Sequence, residues 1–142
     1  GSVRAEIEAD VPANVNGVIF ALGGYAGGVT LYAWEGELRF EYSCLLLKRT
    51  HIDVGPLPAG DVKIAFEMRT EKPGAPAELV FWINGKEAAR GTVGLTVPAA
   101  FTASETFDVG SDTCSPVADD YFDKAPFHFE GTLTRVHFEN IP

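Results

Sequence analysis

From residue 4 to residue 11 the chain reads "RAEIEADV". Ala5, Ile7, Ala9 and Val11 alternate with Arg4, Glu6, Glu8 and Asp10. Period-two alternation is the pattern of a strand with one buried face. The same pattern recurs in "DVKIAFEMRTE", with Val62, Ile64, Phe66 and Met68 against Asp61, Lys63, Glu67 and Arg69, and in "ELRFEY", with Leu38, Phe40 and Tyr42 against Arg39 and Glu41. "GVIFAL" (17–22) is apolar throughout, as suits a strand covered on both faces. "ELVFWI" is nearly so, which leaves Phe81 and Trp82 as competing candidates for its inward position.

Turn signals punctuate these runs. Asn84-Gly85 separates "ELVFWI" from "KEAARGTV", and both residues tolerate the positive φ of a tight hairpin. Glu35-Gly36 is a shorter hairpin signal, Gly23 to Gly28 turn the chain, and "EKPGAPA" (71–77) is a loop by its prolines. In "FHFEGTLTRVHFE" Phe127, Phe129 and Leu133 are in phase while Val136 and Phe138 are not, which predicts a β-bulge near Thr134-Arg135. No stretch has a capped 3.6-residue period. Many short strands with turns between them predict an all-β fold of two packed antiparallel sheets, with Ile64, Phe66, Phe81 or Trp82, Phe129 and Leu133 in the core. The 142 residues fit one domain. Gly1-Ser2 reads as an expression scar, leaving residues 3–142 as a single β-sandwich.

Charge narrows the partners. A net charge of −9 argues against nucleic acid, whose phosphates are bound by clustered Lys and Arg. The acidic residues are interleaved with apolar ones, as in a soluble folded domain, and no apolar run approaches the ~20 residues of a membrane span. Cys44 and Cys114 make neither a metal nor a disulfide framework; two reduced thiols are the plain reading, and a single Cys44–Cys114 disulfide is the alternative.

Candidate chemistry is sparse. His51, His128 and His137 lie in strand-like segments and match no catalytic or zinc spacing. Tyr25, Tyr32, Trp34 and Trp82 are candidates for a sugar-stacking platform, although aromatic residues on strands are more often core. "FDVGSDTCSPVADDY" (107–121) is the least ordinary stretch. Its Cys114-Ser115-Pro116 matches the start of C-x-P-x-R, the sulfatase motif whose cysteine becomes the catalytic aldehyde, but Ala118 stands where the arginine is required. Its aspartates are candidates for calcium, the one cofactor this sequence suggests, with Asp108 and Asp112 folded together by Val109-Gly110-Ser111 and then Asp119 or Asp120. Two like charges ~6 Å apart repel by roughly 0.7 kcal/mol even in water. Converging carboxylates therefore need a cation, a partner such as Lys124, or backbone N–H groups. The alternative is that Asp108 and Asp112 accept turn hydrogen bonds while Asp119, Asp120 and Asp123 are simply solvated. As a glycosidase pair Asp119 and Asp120 are poorly placed, because adjacent residues on an extended strand point apart.

Five segments in order, "GVIFALGGYAGGVTLYAWEGELRFEY", "GPLPAGDVKIAFEM", "FWINGKEAARGTV", "ETFDVGSDTCSPVADDY" and "FEGTLTRVHFE", resemble the C-terminal extension of large bacterial arylsulfatases. The resemblance runs from about Asn16 to Glu139, and its most specific part is Asp-Val-Gly-x-Asp-x-x-Ser-Pro-Val-x-Asp-Asp-Tyr. It implies a concanavalin A-like, laminin G-like jelly-roll sandwich of bacterial origin. It also implies a non-catalytic accessory domain that partners the catalytic sulfatase domain, whose catalytic residues belong to that other domain. The alternative function is an independent jelly-roll module that binds carbohydrate.

Overall fold

The computed structural model describes residues 2–24, 27–44, 48–71, 75–93, 107–109 and 127–141. They form ten strands: β1 (Ser2–Val11), β2 (Gly17–Gly24), β3 (Gly27–Trp34), β4 (Glu37–Cys44), β5 (Lys48–Pro56), β6 (Gly60–Thr70), β7 (Ala77–Ile83), β8 (Lys86–Val93), β9 (Phe107–Val109) and β10 (Thr132–Ile141). One sheet has the order β10-β1-β6-β7-β8 and the other β5-β4-β3-β2-β9, with antiparallel neighbours throughout. The two-sheet antiparallel sandwich expected from the alternation is therefore the fold.

The alternating residues set the core. Ala5, Ile7, Ala9 and Val11 of β1 and Val62, Ile64 and Phe66 of β6 face Leu38, Phe40 and Tyr42 of β4 and Val29, Leu31 and Ala33 of β3 across one apolar layer. Phe66 is its aromatic hub. Its ring lies 5.2 Å from Phe81, 5.4 Å from Phe40 and 6.3 Å from Phe20. Offset and tilted pairs at these distances add to what burial alone supplies. Between the two candidates on β7, Phe81 is the buried one. Trp82 pairs with Ala65 and faces away from the core.

Two irregularities interrupt the regular strands, the first of them expected from sequence. Glu8 pairs with Arg135 and Ala9 with Leu133, so Thr134 is the extra residue of a bulge. Its Oγ1 donates to the Glu8 carbonyl at 3.0 Å. The switch of face turns Leu133, Val136 and Phe138 all toward the core, despite their mismatched spacing. The expected strand over 127–131 does not form. Phe127 has φ 49°, and the segment instead crosses the end of β2 through a single parallel bridge, Val18 to His128. Gly17 makes this crossing possible. At φ 118°, a Cβ there would lie 2.2 Å from the His128 carbonyl oxygen. Only a residue without a side chain lets the two backbones meet so closely.

The Asn84-Gly85 turn has positive φ at both positions, 53° and 80°, as its sequence predicts, and Glu35-Gly36 repeats the geometry. The Asn84 side chain also accepts a 2.9 Å hydrogen bond from the Lys63 N–H, tying the β7–β8 hairpin to β6.

Candidate functional site

The residues singled out in the sequence fall in three places. Asp108 lies on β9 opposite Ala21 of β2, while Asp112, Asp119 and Asp120, with Cys114, lie outside the described residues. Among the described residues no group of three or more His, Cys, Asp or Glu side chains is arranged to hold a metal ion. Cys44 ends β4.

The aromatic candidates do not form one platform. Tyr32 is fully buried on the outer face of the β5–β9 sheet, beside Val18 and Ala21. Trp34 packs on Phe127, ring centroids 5.8 Å apart. Trp82 is on the opposite sheet, and Tyr25 lies outside the described residues.

The outer face of the β5–β9 sheet holds a polar row that alternation would place in water. Glu41 is only 5% exposed, and Thr30 and Ser43 are buried. Thr30 Oγ1 donates to the Phe20 carbonyl at 3.1 Å. His51, opposite Glu41 on β5, bridges two carboxylates: Nδ1 is 3.5 Å from Glu41 Oε1, and Nε2 donates to Asp53 Oδ1 at 2.8 Å. With both ring nitrogens held in this way, His51 is a structural link between neighbouring strands.

The outer face of the β10–β8 sheet is different. Its strands bring together residues scattered from position 4 to position 135. Register places Arg135, Glu8 and Lys63 in one row and His137, Glu6, Ala65 and Trp82 in the next. Ala65 is the small member between Glu6 and Trp82. The result is a groove of about 590 Å³ lined by Arg4, Glu6, Glu8, Lys63, Trp82 and Arg135 among others. That volume lies within the range of ligand-binding clefts, ~300–1,000 Å³.

Arg4 is fixed within this groove. Its Nε donates to Glu6 Oε1 at 3.0 Å, Nη1 donates to Glu67 Oε2, and its guanidinium carbon lies 5.4 Å from the centre of the Trp82 ring. The side chain thus spans from β1 over β6 to β7. A guanidinium stacks on an aromatic face while its edge N–H groups remain directed to acceptors. The hydrogen bond with Glu6, aided by Glu67, holds the Arg4 pKa above its ordinary value against the loss of hydration. The same bond holds Glu6 below the usual carboxylate range. Lys63, 77% exposed, reaches to 3.9 Å from Glu8. No sequence motif marks this set, since four strands contribute to it. The signal available was the charged outward face of β1 and the one tryptophan on β7 that alternation could turn outward.

No family model and no curated protein matches the chain. Its fold, by contrast, is widely shared. A carbohydrate-binding domain (CBM40) of the Ruminococcus gnavus IT-sialidase superimposes with a TM-score of 0.65 at 13% identity, covering 99% of this chain and 78% of that one. Domains LG4-5 of the mouse laminin α1 chain give 0.63 at 15% identity, covering 97% and 35%. The heptameric SAP-like pentraxin from Limulus polyphemus gives 0.58 at 11%, covering 99% and 65%. This chain thus spans about a third of the laminin fragment. The likeness defines the class: an all-β jelly-roll sandwich of the concanavalin A-like, laminin G-like type.

Proposed function

We propose that this chain is a non-catalytic jelly-roll module that binds carbohydrate. The groove around Trp82 carries the reading. It offers a half-exposed indole bordered by fixed hydrogen-bonding groups on a rigid sheet, the combination that sugar recognition uses. The sialidase domain of the same fold, described in complex with α2,6-sialyllactose, supports the ligand class. A glycan array probed with the purified chain, with each positive repeated by calorimetry, tests it. Saturable binding to at least one saccharide is expected, and a blank array at high protein concentration refutes the proposal.

A second reading has a separate support. The five ordered segments from "GVIFALGGYAGG" to "FEGTLTRVHFE" favour an accessory domain of an arylsulfatase, packing on its catalytic domain. The natural reading frame upstream of Val3 decides this. A sulfatase domain carrying C-x-P-x-R there establishes it, and any other domain removes it.

A further inference from the structure

The balance of charge in the groove says which saccharides it suits. Arg4, Lys63 and Arg135 supply cations, and Glu6 and Glu8 supply anions, so neither sign dominates. The outer face is laid out as a mosaic: Arg135, Glu8 and Lys63 alternate in sign across three adjacent strands, and Arg4 lies between Glu6 and Glu67. An anionic group entering between Lys63 and Arg135 would meet the Glu8 carboxylate between them. A hydroxyl group both donates and accepts, so a ring bearing several hydroxyls is matched by alternating donors and acceptors at no cost in unpaired charge.

We infer that the Trp82 groove is a binding site for a neutral pyranose, a claim that rests on the carbohydrate-binding reading above. Trp82 is the apolar wall: the Arg4 guanidinium covers part of its ring, 5.4 Å from the centre, and a sugar ring packs its C–H face on the exposed remainder. Ala65 is the floor. A larger residue at this outward position would fill the space beside the indole without touching the core, because Ile64 and Phe66 are the inward residues of β6. Arg4 is a fixed donor. Two of the five N–H groups that an arginine carries are taken by Glu6 and Glu67, which hold the plane in place and leave the others for a ligand. Glu8 is the acceptor for a hydroxyl, and its 3.9 Å approach to Lys63 is loose enough to yield when a ligand arrives. Lys63 and Arg135 are the adaptable donors at the far end. The Arg135 side chain makes no hydrogen bond or ion pair among the described residues, and the Lys63 side chain makes only the loose ion pair to Glu8.

The test uses the whole chain and two matched sets of probes: neutral hexose oligosaccharides and their sulfated or carboxylated counterparts. Titration calorimetry is run on wild type, Trp82→Ala, Ala65→Leu, Glu8→Gln and the control Trp34→Phe, each checked for an unchanged fold by thermal unfolding. The expected result is binding to one or more neutral saccharides that weakens tenfold or more in Trp82→Ala and in Ala65→Leu, weakens less in Glu8→Gln, and is unchanged in Trp34→Phe. Ala65→Leu keeps the test sharp if Trp82→Ala is poorly folded. Neutral binding that survives both Trp82→Ala and Ala65→Leu overturns the site while leaving a carbohydrate-binding domain. Binding confined to the sulfated or carboxylated set overturns the ligand class. No binding to either set removes the carbohydrate reading itself, and this inference with it.

Discussion

Replacing Phe66 by alanine tests the architecture at its centre. Phe66 is 3% exposed, and its ring meets Phe81, Phe40 and Phe20, so three rings drawn from both sheets lose a partner at once. Truncating a buried phenylalanine costs about 3–5 kcal/mol, the spread reflecting how far the surroundings collapse into the space. Strand β6 cannot collapse readily, because β1 and β7 hold it by ladders on both sides. The upper part of the range is therefore expected, about 4 kcal/mol. For a domain of this size each kcal/mol lowers the melting temperature by roughly 2–4 °C, so the shift is about 8–16 °C. Urea unfolding followed by tryptophan fluorescence, with calorimetry for the melting temperature, measures both. The companion variant Phe81→Ala completes a double-mutant cycle, and this ring pair should show a coupling of about 0.5–1.5 kcal/mol. Trp82→Ala, on the opposite face of β7, should cost clearly less than Phe66→Ala. A cost below ~1.5 kcal/mol for Phe66→Ala, or a larger one for Trp82→Ala, would show that the faces of β6 and β7 are assigned the wrong way round.

Two glycines that both have positive φ should behave differently. Gly17→Ala places a methyl group against the backbone at 127–131 and should cost about 2–4 kcal/mol, whereas Gly85→Ala meets nothing within 4 Å and should cost only the ~1 kcal/mol of a strained φ, both read from urea midpoints. The Glu6 carboxyl, held low chiefly by its hydrogen bond to Arg4, should titrate nearer the ordinary range in Arg4→Gln, as followed by carbonyl NMR. Since the folded-state pKa is the lower one, Arg4 and Glu6 stabilise the fold above the unfolded carboxylate pKa and lose that contribution as the pH falls through the folded value. A midpoint that does not move with pH in either protein would remove this linkage. The pure chain should not turn over a chromogenic sulfate ester, since Ala118 stands in place of the required arginine; turnover that disappears in Cys114→Ala would contradict this.

Strands with one wet face were legible because their sequences alternate, as in β1 and β6, and the Asn84-Gly85 turn was legible because few residue pairs accept its backbone angles. Two things were not. In "ELVFWI" every position after Glu78 is apolar, so only the pairing of Trp82 with Ala65 and of Phe81 with Phe66 decides which ring is inside. On the β5–β9 sheet Glu41 and Ser43 look outward by alternation yet are buried, because a long-range arrangement, not the local period, determines what is covered. Phe127 to Gly131 misled in the opposite sense. The segment alternates like a strand, but Phe127 adopts a left-handed conformation and the run packs across Gly17. The Trp82 groove was half legible. Trp82 was a candidate, while Arg4, Glu6, Glu8, Lys63 and Arg135 join it only through register across four strands.

The pairing of Ser2 with Ile141 makes the first and last strands rungs of one antiparallel ladder, with both ends of the described chain at the same side of it. This matters under tension. A pull between those two points acts across the strands, so the load falls on the first rung, and when that opens it passes to the next. Backbone hydrogen bonds then fail one after another instead of sharing the force, as they would if the strands were dragged along their length. Optical-tweezer stretching through handles at Ser2 and Ile141 should give opening at low force in many small steps, and a single high-force rupture would contradict it. The module is soft along this axis however firmly its phenylalanine layer is packed. When hauled by its ends it opens from the Ser2–Ile141 rung inward, and the Thr134 bulge is where the peeling ladder first loses its regular step.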